Sequence, residues 1–352
     1  MYILIAILAF GVIIAIHELG HYFSAKALNV KVNEFAIGMG PKILWKQGKE
    51  TLYSLRALPF GGFCSLEGEH DEGEVPNPRS FLSQKRWKRI VILVSGSFAN
   101  FIAAFIIIVI LTLGATGFIS TTISEVVDNL ADVPDIGVAE LRAGDRLVAI
   151  NGERLFYYED FNLFMRLNEG YPIVFTIERD GHRLEYERVP YVVDGKEVYR
   201  YSISFKVIES SFIENTKFAF YQTFNFIRMI RVSIAMMISG SASIADISGP
   251  VGIIDAMNTV GQHSPTFWVA LSNIVYFTAF IGVNVAVINL LPIPAMDGGR
   301  VFFIFVTLII EKLTRKKLDP KYENYINTTA FILLIGLMVL ILYNDIIRII
   351  GA

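Results

Sequence analysis

The chain has 352 residues, of which 53% are hydrophobic and 18% charged, and its mean hydropathy is +0.51. This balance is too apolar for a soluble protein of that length and is typical of a polytopic membrane protein. The net charge of −2 does not suggest a nucleic-acid partner, and the single cysteine, Cys64, excludes a disulfide framework or a cysteine-rich metal site.

Four segments are long and apolar enough to cross a hydrocarbon core, which needs about 20 such residues. They are residues 2–23, 90–118, 267–291 and 329–350. We therefore predict an α-helical polytopic membrane protein with four transmembrane helices.

Basic residues flank these spans unevenly. Lys85, Arg86, Lys88 and Arg89 precede the second span, and Lys312, Arg315, Lys316, Lys317 and Lys321 lie between the last two. Loops on the cytoplasmic side carry an excess of Lys and Arg, which places residues 24–89 and about 309–325 inside. The region between spans two and three then faces outward.

Residues 31–66 carry glycine bends at Gly38, Gly40 and within PFGGF (59–63), around short alternating apolar runs. This pattern predicts a membrane-associated β-hairpin region. Backbone of this kind near a membrane must line a protein cavity or pair with another strand. An open strand edge there could bind an extended substrate; ordinary cytoplasmic loops are the alternative.

Residues 119–207 have the pattern of a small α/β domain. The run AGDRLVAINGE (143–153) predicts a turn, an apolar strand and a second turn at Asn151-Gly152, and residues 173–177 and 183–189 alternate like strands. The segment resembles a PDZ domain, whose groove takes an extended peptide as an added strand. A generic β-rich spacer is the alternative.

Residues 211–238 are apolar but interrupted by charge. On a helical projection Lys217, Arg228 and Arg231 share one arc, and Phe212, Phe220, Ile227, Ile230 and Ile234 share another. This arrangement favours a helix lying in the membrane interface over a fifth span.

The first span ends in His17-Glu18-Leu19-Gly20-His21, an HExxH motif. Histidines at i and i+4 project from one helix face and can share Zn²⁺, and the glutamate beside them can act as catalytic base. Ionisable groups at membrane depth are costly, so they indicate function rather than chance.

Such a histidine pair needs a third protein ligand. The best candidate is Asp297, because Pro292 and Pro294 break the third span just before it and Gly298-Gly299 allow close approach of the backbone. The alternative is that Asp297 is paired with Arg300.

Four motifs occur in the order found in one known family: HELGH (17–21), LPFGGFCSLEGE (58–69), SGPVGI (248–253) and NVAVINLLPIPAMDGGR (284–300). The chain resembles the site-2 proteases, M50-type zinc intramembrane metalloproteases, of the regulator of sigma-E protease type. The resemblance implies a Zn²⁺ cofactor held by His17, His21 and Asp297, with Glu18 as the catalytic base.

The resemblance further implies that Asn284 and Asn289 hold the unwound substrate backbone, although simple interhelical hydrogen bonds would also explain them. It implies cleavage of single-span membrane proteins, such as an anti-sigma factor or a remnant signal peptide, in the bacterial inner membrane. One periplasmic PDZ-like domain replaces the two of the best-known relative, and Met296 replaces the usual leucine.

The expected domains are 1–118 with the HExxH motif and hairpin region, 119–207 PDZ-like, 208–265 interfacial helix and connector, and 266–352 with the third ligand. We expect a monomer in the lipid bilayer. The alternatives are a non-catalytic PDZ scaffold, a zinc transporter, and a membrane metallopeptidase that acts on soluble peptides.

Overall fold

The computed structural model describes residues 1–69, 77–126, 141–168, 171–188, 191–193, 196–198, 203–240, 248–315 and 321–351. They form two compact units, one from Met1–Leu111 with Gln222–Ala352 and the other from Thr112–Tyr221.

The elements of the first unit are α1 (Tyr2–Ala27), β1 (Val32–Gln47), β2 (Leu52–Leu66), α2 (Arg86–Thr112), α5 (Pro250–Gln262), α6 (Phe267–Leu290), α7 (Asp297–Thr314) and α8 (Lys321–Gly351). The second unit contains β3 (Gly117–Val126), β4 (Arg146–Ile150), β5 (Glu153–Arg154), α3 (Tyr158–Leu167), β6 (Ile173–Arg179), β7 (His182–Arg188), β8 (Tyr191–Val193), β9 (Lys196–Val198) and β10 (Ile203–Glu209). Helix α4 (Phe212–Ser239) runs from the second unit into the first.

Within the described ranges, four helices are long and apolar enough to cross a membrane: Tyr2–Ala27, Arg86–Thr112, Phe267–Leu290 and Tyr325–Arg348. The predicted number of spans is confirmed. The predicted end of the second span at Phe118 is wrong, because the helix ends at Thr112 and a strand begins at Gly117. Phe118 instead stacks on Phe218 at 4.3 Å and is buried in the second unit.

Helix α1 ends in a Schellman motif. Asn29 takes a left-handed conformation (φ 61°), and the amide of Val30 donates to the carbonyl of Ala25 at 2.8 Å while that of Asn29 donates to Lys26 at 3.2 Å. Asparagine tolerates this conformation better than most residues, so the helix stops shortly after the HExxH motif. The chain then turns directly into β1.

Strands β1 and β2 are long and sharply bent, so that their pairing builds one small sheet of four segments. Residues 62–66 pair with 32–37, which also pair with 52–55, and these in turn pair with 44–47. Segment 62–66 is therefore an edge, and within the described residues no strand pairs with its outer side. The sequence predicted hairpin strands here, but not which segment forms the edge.

The turn between β1 and β2 is fastened to the end of α1. Glu50 accepts hydrogen bonds from Arg79, with one distance of 2.7 Å, and from Lys26. These bonds, those from Arg79 first, lower the pKa of Glu50 to about 2. Lys26 also donates to Thr51, whose hydroxyl donates to the carbonyl of Val32 at 2.8 Å.

Two buried clusters pack against helix α1, one near its start and one near its end. Near its start a buried cluster joins α1 to α5 and α6 through Ala6, Ile13, Met257, Ile274 and Ile281. Near its end a second cluster joins it to β1, β2, α2 and α7 through Ala25, Val30, Val32, Leu66, Phe81, Ile92, Leu93 and Ile304. The HExxH motif lies between these clusters, so packing fixes the helix on either side of it.

The SGPVGI motif forms the start of α5, and its backbone amides contact a carboxylate of α8. Asp345 is 1% exposed and accepts hydrogen bonds from the backbone amides of Gly249 and Gly252, at 3.2 and 2.8 Å. An acidic group is stabilised at a helix N-terminus, where amides lack partners within the helix. Arg348 adds a contact to the same carboxylate at 3.3 Å.

We expect Asp345→Ala to lower the thermal unfolding temperature of the purified protein. Two buried amides would lose their acceptor, at a cost of about 2 kcal/mol or more. Asp345→Asn, which keeps one acceptor oxygen, should be affected less, and Ile346→Ala at an exposed neighbour should unfold like the native protein. Equal unfolding temperatures for Asp345→Ala and Ile346→Ala would contradict this account of the motif.

In the second unit the strand order is β10-β3-β4-β6-β7, with β5 paired to β4. The turn from β4 to β5 has positive φ at both Asn151 (49°) and Gly152 (79°), which confirms the predicted hairpin turn. Buried Asp145 accepts hydrogen bonds from Arg179 at 2.7 Å. Burial opposes ionisation of Asp145, but these bonds outweigh it and lower its pKa.

Helix α4 is not one of the four candidate spans, so a fifth span is not supported. The projection placed Arg228 on a basic face with Lys217 and Arg231, but Arg228 is buried while the other two are exposed. Asn215, Gln222 and Asn225 are buried as well. Polar side chains therefore lie on the inner side of this helix, which a simple division into basic and apolar arcs did not anticipate.

Candidate metal centre

His17, His21 and Asp297 bring three potential ligand atoms together. The Nε2 atoms of His17 and His21 are 3.2 Å apart, and each lies 3.2 Å from Oδ2 of Asp297. Among the described residues, this is the group of His, Cys, Asp and Glu side chains that could hold a metal ion. The two histidines are separated by one helical turn of α1, and the aspartate comes from the first turn of α7.

The break between α6 and α7 positions the aspartate. Helix α6 ends at Leu290, and α7 begins at Asp297 after a segment containing Pro292 and Pro294. Proline lacks the amide donor that a continuing helix requires, so the apolar run is interrupted where the sequence indicated. Helix α7 itself, with its apolar residues 301–310, was not recognised from the sequence.

Helix α2 supports the histidines from the other side. Nδ1 of His21 is 2.8 Å from the carbonyl of Ile92, which orients the ring and leaves Nε2 toward the cluster. A Cβ at Gly96 would lie 2.4 Å from Nε2 of His21, and one at Gly20 would lie 2.3 Å from the carbonyl of Ser95. Only glycine at these two positions lets α1 and α2 approach this closely.

The three ligand atoms fit a zinc ion. Tetrahedral zinc with bonds of about 2.0–2.1 Å places its ligand atoms about 3.3 Å apart, close to the three separations of 3.2 Å. Two imidazole nitrogens and one carboxylate oxygen are a usual catalytic zinc set, and they leave a fourth position for water or substrate.

Glu18 lies beside this cluster and borders a cavity of about 520 Å³. The cavity is lined by Ile14, His17, Glu18, His21, Phe63, Cys64, Ser65, Leu66, Glu69, Ile92, Leu93, Val285, Asn289, Asp297 and Arg300. Four of these form one stretch of the edge 62–66. A Cβ at Gly62 would lie 3.4 Å from Cγ of Glu18, so the edge runs next to the candidate base.

The two candidate substrate-binding asparagines are placed differently. Asn289 lines the cavity, and its Nδ2 is 3.4 Å from Nε2 of His17. Asn284 is not among the lining residues, and its amide donates to the carbonyl of Phe280 in its own helix at 3.1 Å. The structure therefore brings Asn289 to the centre but does not bring Asn284 there.

Arg300 and Glu69 are cavity residues that sequence reasoning did not identify as a pair. Arg300 forms an ion pair with Glu69 rather than with Asp297, and its guanidinium lies 5.2 Å from the ring centre of Phe81. Glu69 also accepts a hydrogen bond from the amide of Leu66 at 3.3 Å. Spacing could not reveal this pair, because its members are 231 residues apart.

The family model of peptidase family M50 matches residues 5–337. The chain belongs to peptidase family M50. A protein of Clostridium acetobutylicum named "Putative zinc metalloprotease" is 38% identical over 346 residues, which cover 98% of this chain and 97% of the relative. The regulator of sigma-W protease RasP of Bacillus subtilis is 26% identical over 426 residues, covering 97% of each chain. The zinc metalloprotease RasP of Geobacillus kaustophilus is 26% identical over 419 residues, covering 97% and 96%.

This M50 peptidase is a zinc metalloprotease of the site-2 type, and the resemblance inferred from its motifs is confirmed. Its four candidate spans make it a multi-pass membrane protein. An enzyme with a zinc cofactor leaves no support for the non-catalytic scaffold or the zinc transporter.

Proposed function

We propose that this M50 peptidase is an intramembrane endopeptidase that cuts the transmembrane segment of single-span membrane proteins. In this proposal His17, His21 and Asp297 hold zinc, and Glu18 is the catalytic base. The observation that carries it is that three ligand atoms lie 3.2 Å from one another and that two of them belong to α1, a candidate membrane span. Ionisable groups at membrane depth are costly, so a metal centre there indicates a substrate that also enters the membrane.

The substrate must reach this centre in extended form. The carbonyls of a transmembrane helix are engaged in hydrogen bonds, so the scissile bond is accessible only after local unwinding. Freed backbone groups in an apolar environment then need new partners. We propose that edge 62–66, which lines the cavity, supplies them by strand addition and that Asn289 holds a further backbone group.

When bound, zinc would lower the pKa of a coordinated water to about 7 and polarise the scissile carbonyl. Glu18 accepts the proton that the attacking water loses and later passes it to the leaving amine. The side chain of Glu18 lies next to Gly62, on the edge where the substrate strand would lie. Proton transfer therefore takes place beside the bond that is cut.

The test is to map the cleaved bond in a reconstituted system. Protein in lipid vesicles would be given a purified single-span substrate, and mass spectrometry would locate the new termini. We expect cleavage inside the apolar segment and none with Glu18→Gln. Cleavage confined to flanking soluble residues would instead support a membrane metallopeptidase acting on soluble peptides. The proteins that accumulate as uncleaved fragments in a Glu18→Gln strain would then identify the natural substrates.

The orientation proposed from the basic flanks places residues 24–89 in the cytoplasm and 119–207 outside. Ser83 and Ser204 are both exposed, and a change from serine to cysteine replaces only one side-chain atom. In a Cys64→Ser background, we expect an impermeant thiol reagent added to intact spheroplasts to label Ser204→Cys but not Ser83→Cys. The reverse labelling pattern would refute the orientation.

We further propose that residues 119–207 act as a PDZ-like filter on the outer side, within the four-part domain division expected from the sequence. All the candidate zinc ligands and the base lie outside this segment, so peptide hydrolysis does not depend on it. Its support is the hairpin-rich sheet of the second unit and the AGDRLVAINGE run that builds β4 and β5. In this proposal the domain limits access for substrates that keep a bulky outer domain.

A further inference from the structure

A polar side chain of the last candidate span contacts the segment that leads to the candidate zinc ligand Asp297. Asn327 lies in α8, and its Oδ1 accepts a hydrogen bond from the backbone amide of Ala295 at 3.1 Å. An asparagine in an apolar span is costly unless its amide is paired. The partner here lies two residues before Asp297.

Ala295 has an unusual backbone. Its φ is +71°, a left-handed conformation that glycine adopts freely but that a residue with a Cβ adopts only when its surroundings hold it there. The residue stands between Pro294 and Met296 in the break between α6 and α7. A specific interaction must therefore stabilise this turn.

The hydrogen bonds made by the backbone amides between α6 and α7 identify this interaction. Of residues 292–296, Pro292 and Pro294 have no amide hydrogen. The amide of Ile293 donates to Leu291 at 2.7 Å, and that of Met296 donates to Ile293 at 3.2 Å. The remaining amide, that of Ala295, is satisfied by Asn327 on another helix.

The break is packed directly against the start of α7. A Cβ at Gly298 would lie 2.3 Å from the carbonyl of Leu290, and one at Gly299 would lie 2.1 Å from the carbonyl of Ile293. Backbones in such close contact cannot shift independently. A change in the turn at Ala295 would therefore move Asp297.

We infer that Asn327 is a positioning residue for the zinc centre, which acts by holding Ala295 in its left-handed turn and so fixing Asp297 against the two histidines. This inference rests on the proposed ligand role of Asp297. Outer partners that orient a metal ligand typically contribute about 10- to 100-fold in affinity. Asn327 performs this role through the backbone rather than by touching the ligand.

The test measures zinc affinity by chelator competition on the purified protein in detergent. We expect Asn327→Ala to weaken zinc binding by about 10-fold or more. Thr328→Ala, which changes an exposed polar neighbour on the same helix, should bind zinc like the native protein. Adding Ala295→Gly to Asn327→Ala should recover about half or more of the loss on a logarithmic scale, because glycine takes the turn without support.

The rescue separates positioning from a general loss of structure, since Ala295→Gly could not repair a helix that has detached. Should Asn327→Ala fail to fold, Ala295→Val and Ala295→Gly in the native background serve instead. We expect valine, a β-branched residue unsuited to positive φ, to weaken zinc binding and glycine to leave it unchanged. Native affinity in both Asn327→Ala and Ala295→Val, or an absent rescue in a folded double variant, would overturn the inference. Zinc retained by Asp297→Ala would instead overturn the ligand assignment on which it rests.

Discussion

Glu18→Gln is expected to bind zinc in the native amount and to lose peptide cleavage by at least ~10²-fold, the usual effect of removing a general base. Glutamine has nearly the same shape, so the edge beside it at Gly62 should not move. It cannot accept a proton from water. Cleavage of a single-span substrate in vesicles, together with metal analysis of the same sample, measures both quantities.

Glu185→Gln is the matched control, because this carboxylate is exposed on β7 and far from the candidate ligands in sequence. It should cleave at the native rate. Near-native turnover by Glu18→Gln would show that another group takes the proton. Loss of zinc together with activity would show that Glu18 helps to hold the metal. The cluster of three ligand atoms does not require such a role for Glu18.

Asp297→Ala is expected to lose stoichiometric zinc, with affinity reduced by more than the roughly 100-fold upper range for outer partners, because a direct ligand is removed. His17 and His21 alone would offer two nitrogens, which is fewer than the three protein ligands of a catalytic site. The measurement is bound zinc per protein after dialysis, followed by competition with a chelator of known affinity.

Asp255→Ala serves as the control, since Asp255 is an exposed carboxylate on α5 outside the cluster. It should keep one zinc ion per chain and native activity. Undiminished zinc in an active Asp297→Ala variant would place the third ligand elsewhere, and Glu18 and Glu69 are the other carboxylates that line the cavity.

Local patterns in the sequence were sufficient for the parts of the centre that depend on helix periodicity and backbone breaks. Spacing of i and i+4 brought His17 and His21 onto one face, and two prolines marked the break before Asp297. The hairpin turn at Asn151-Gly152 followed from residues that accept positive φ. In each case the physical cause of the local structure lies within one to four neighbouring residues.

The remaining features depend on contacts between distant segments. Arg300 could equally have paired with Asp297, and only the fold shows that it pairs with Glu69. Hydropathy extended the second span to Phe118 because an apolar strand residue and an apolar helix residue score alike. Similarly, Asn284 and Asn289 occupy the same apolar helix in sequence, yet only Asn289 reaches the cavity.

The edge formed by residues 62–66 already has partners where it meets the centre. Glu18 lies against it beside Gly62, and Glu69 accepts the hydrogen bond of the Leu66 amide at 3.3 Å. A peptide that pairs with the edge at Leu66 would exchange one hydrogen bond for another rather than gain one, and the net contribution of such a bond is only about 0.5–1.5 kcal/mol. Binding must then rely on the effective concentration of the substrate. This concentration is high when enzyme and substrate are confined to the same lipid bilayer. Weak pairing also favours turnover, because two short products are released more easily than one long strand.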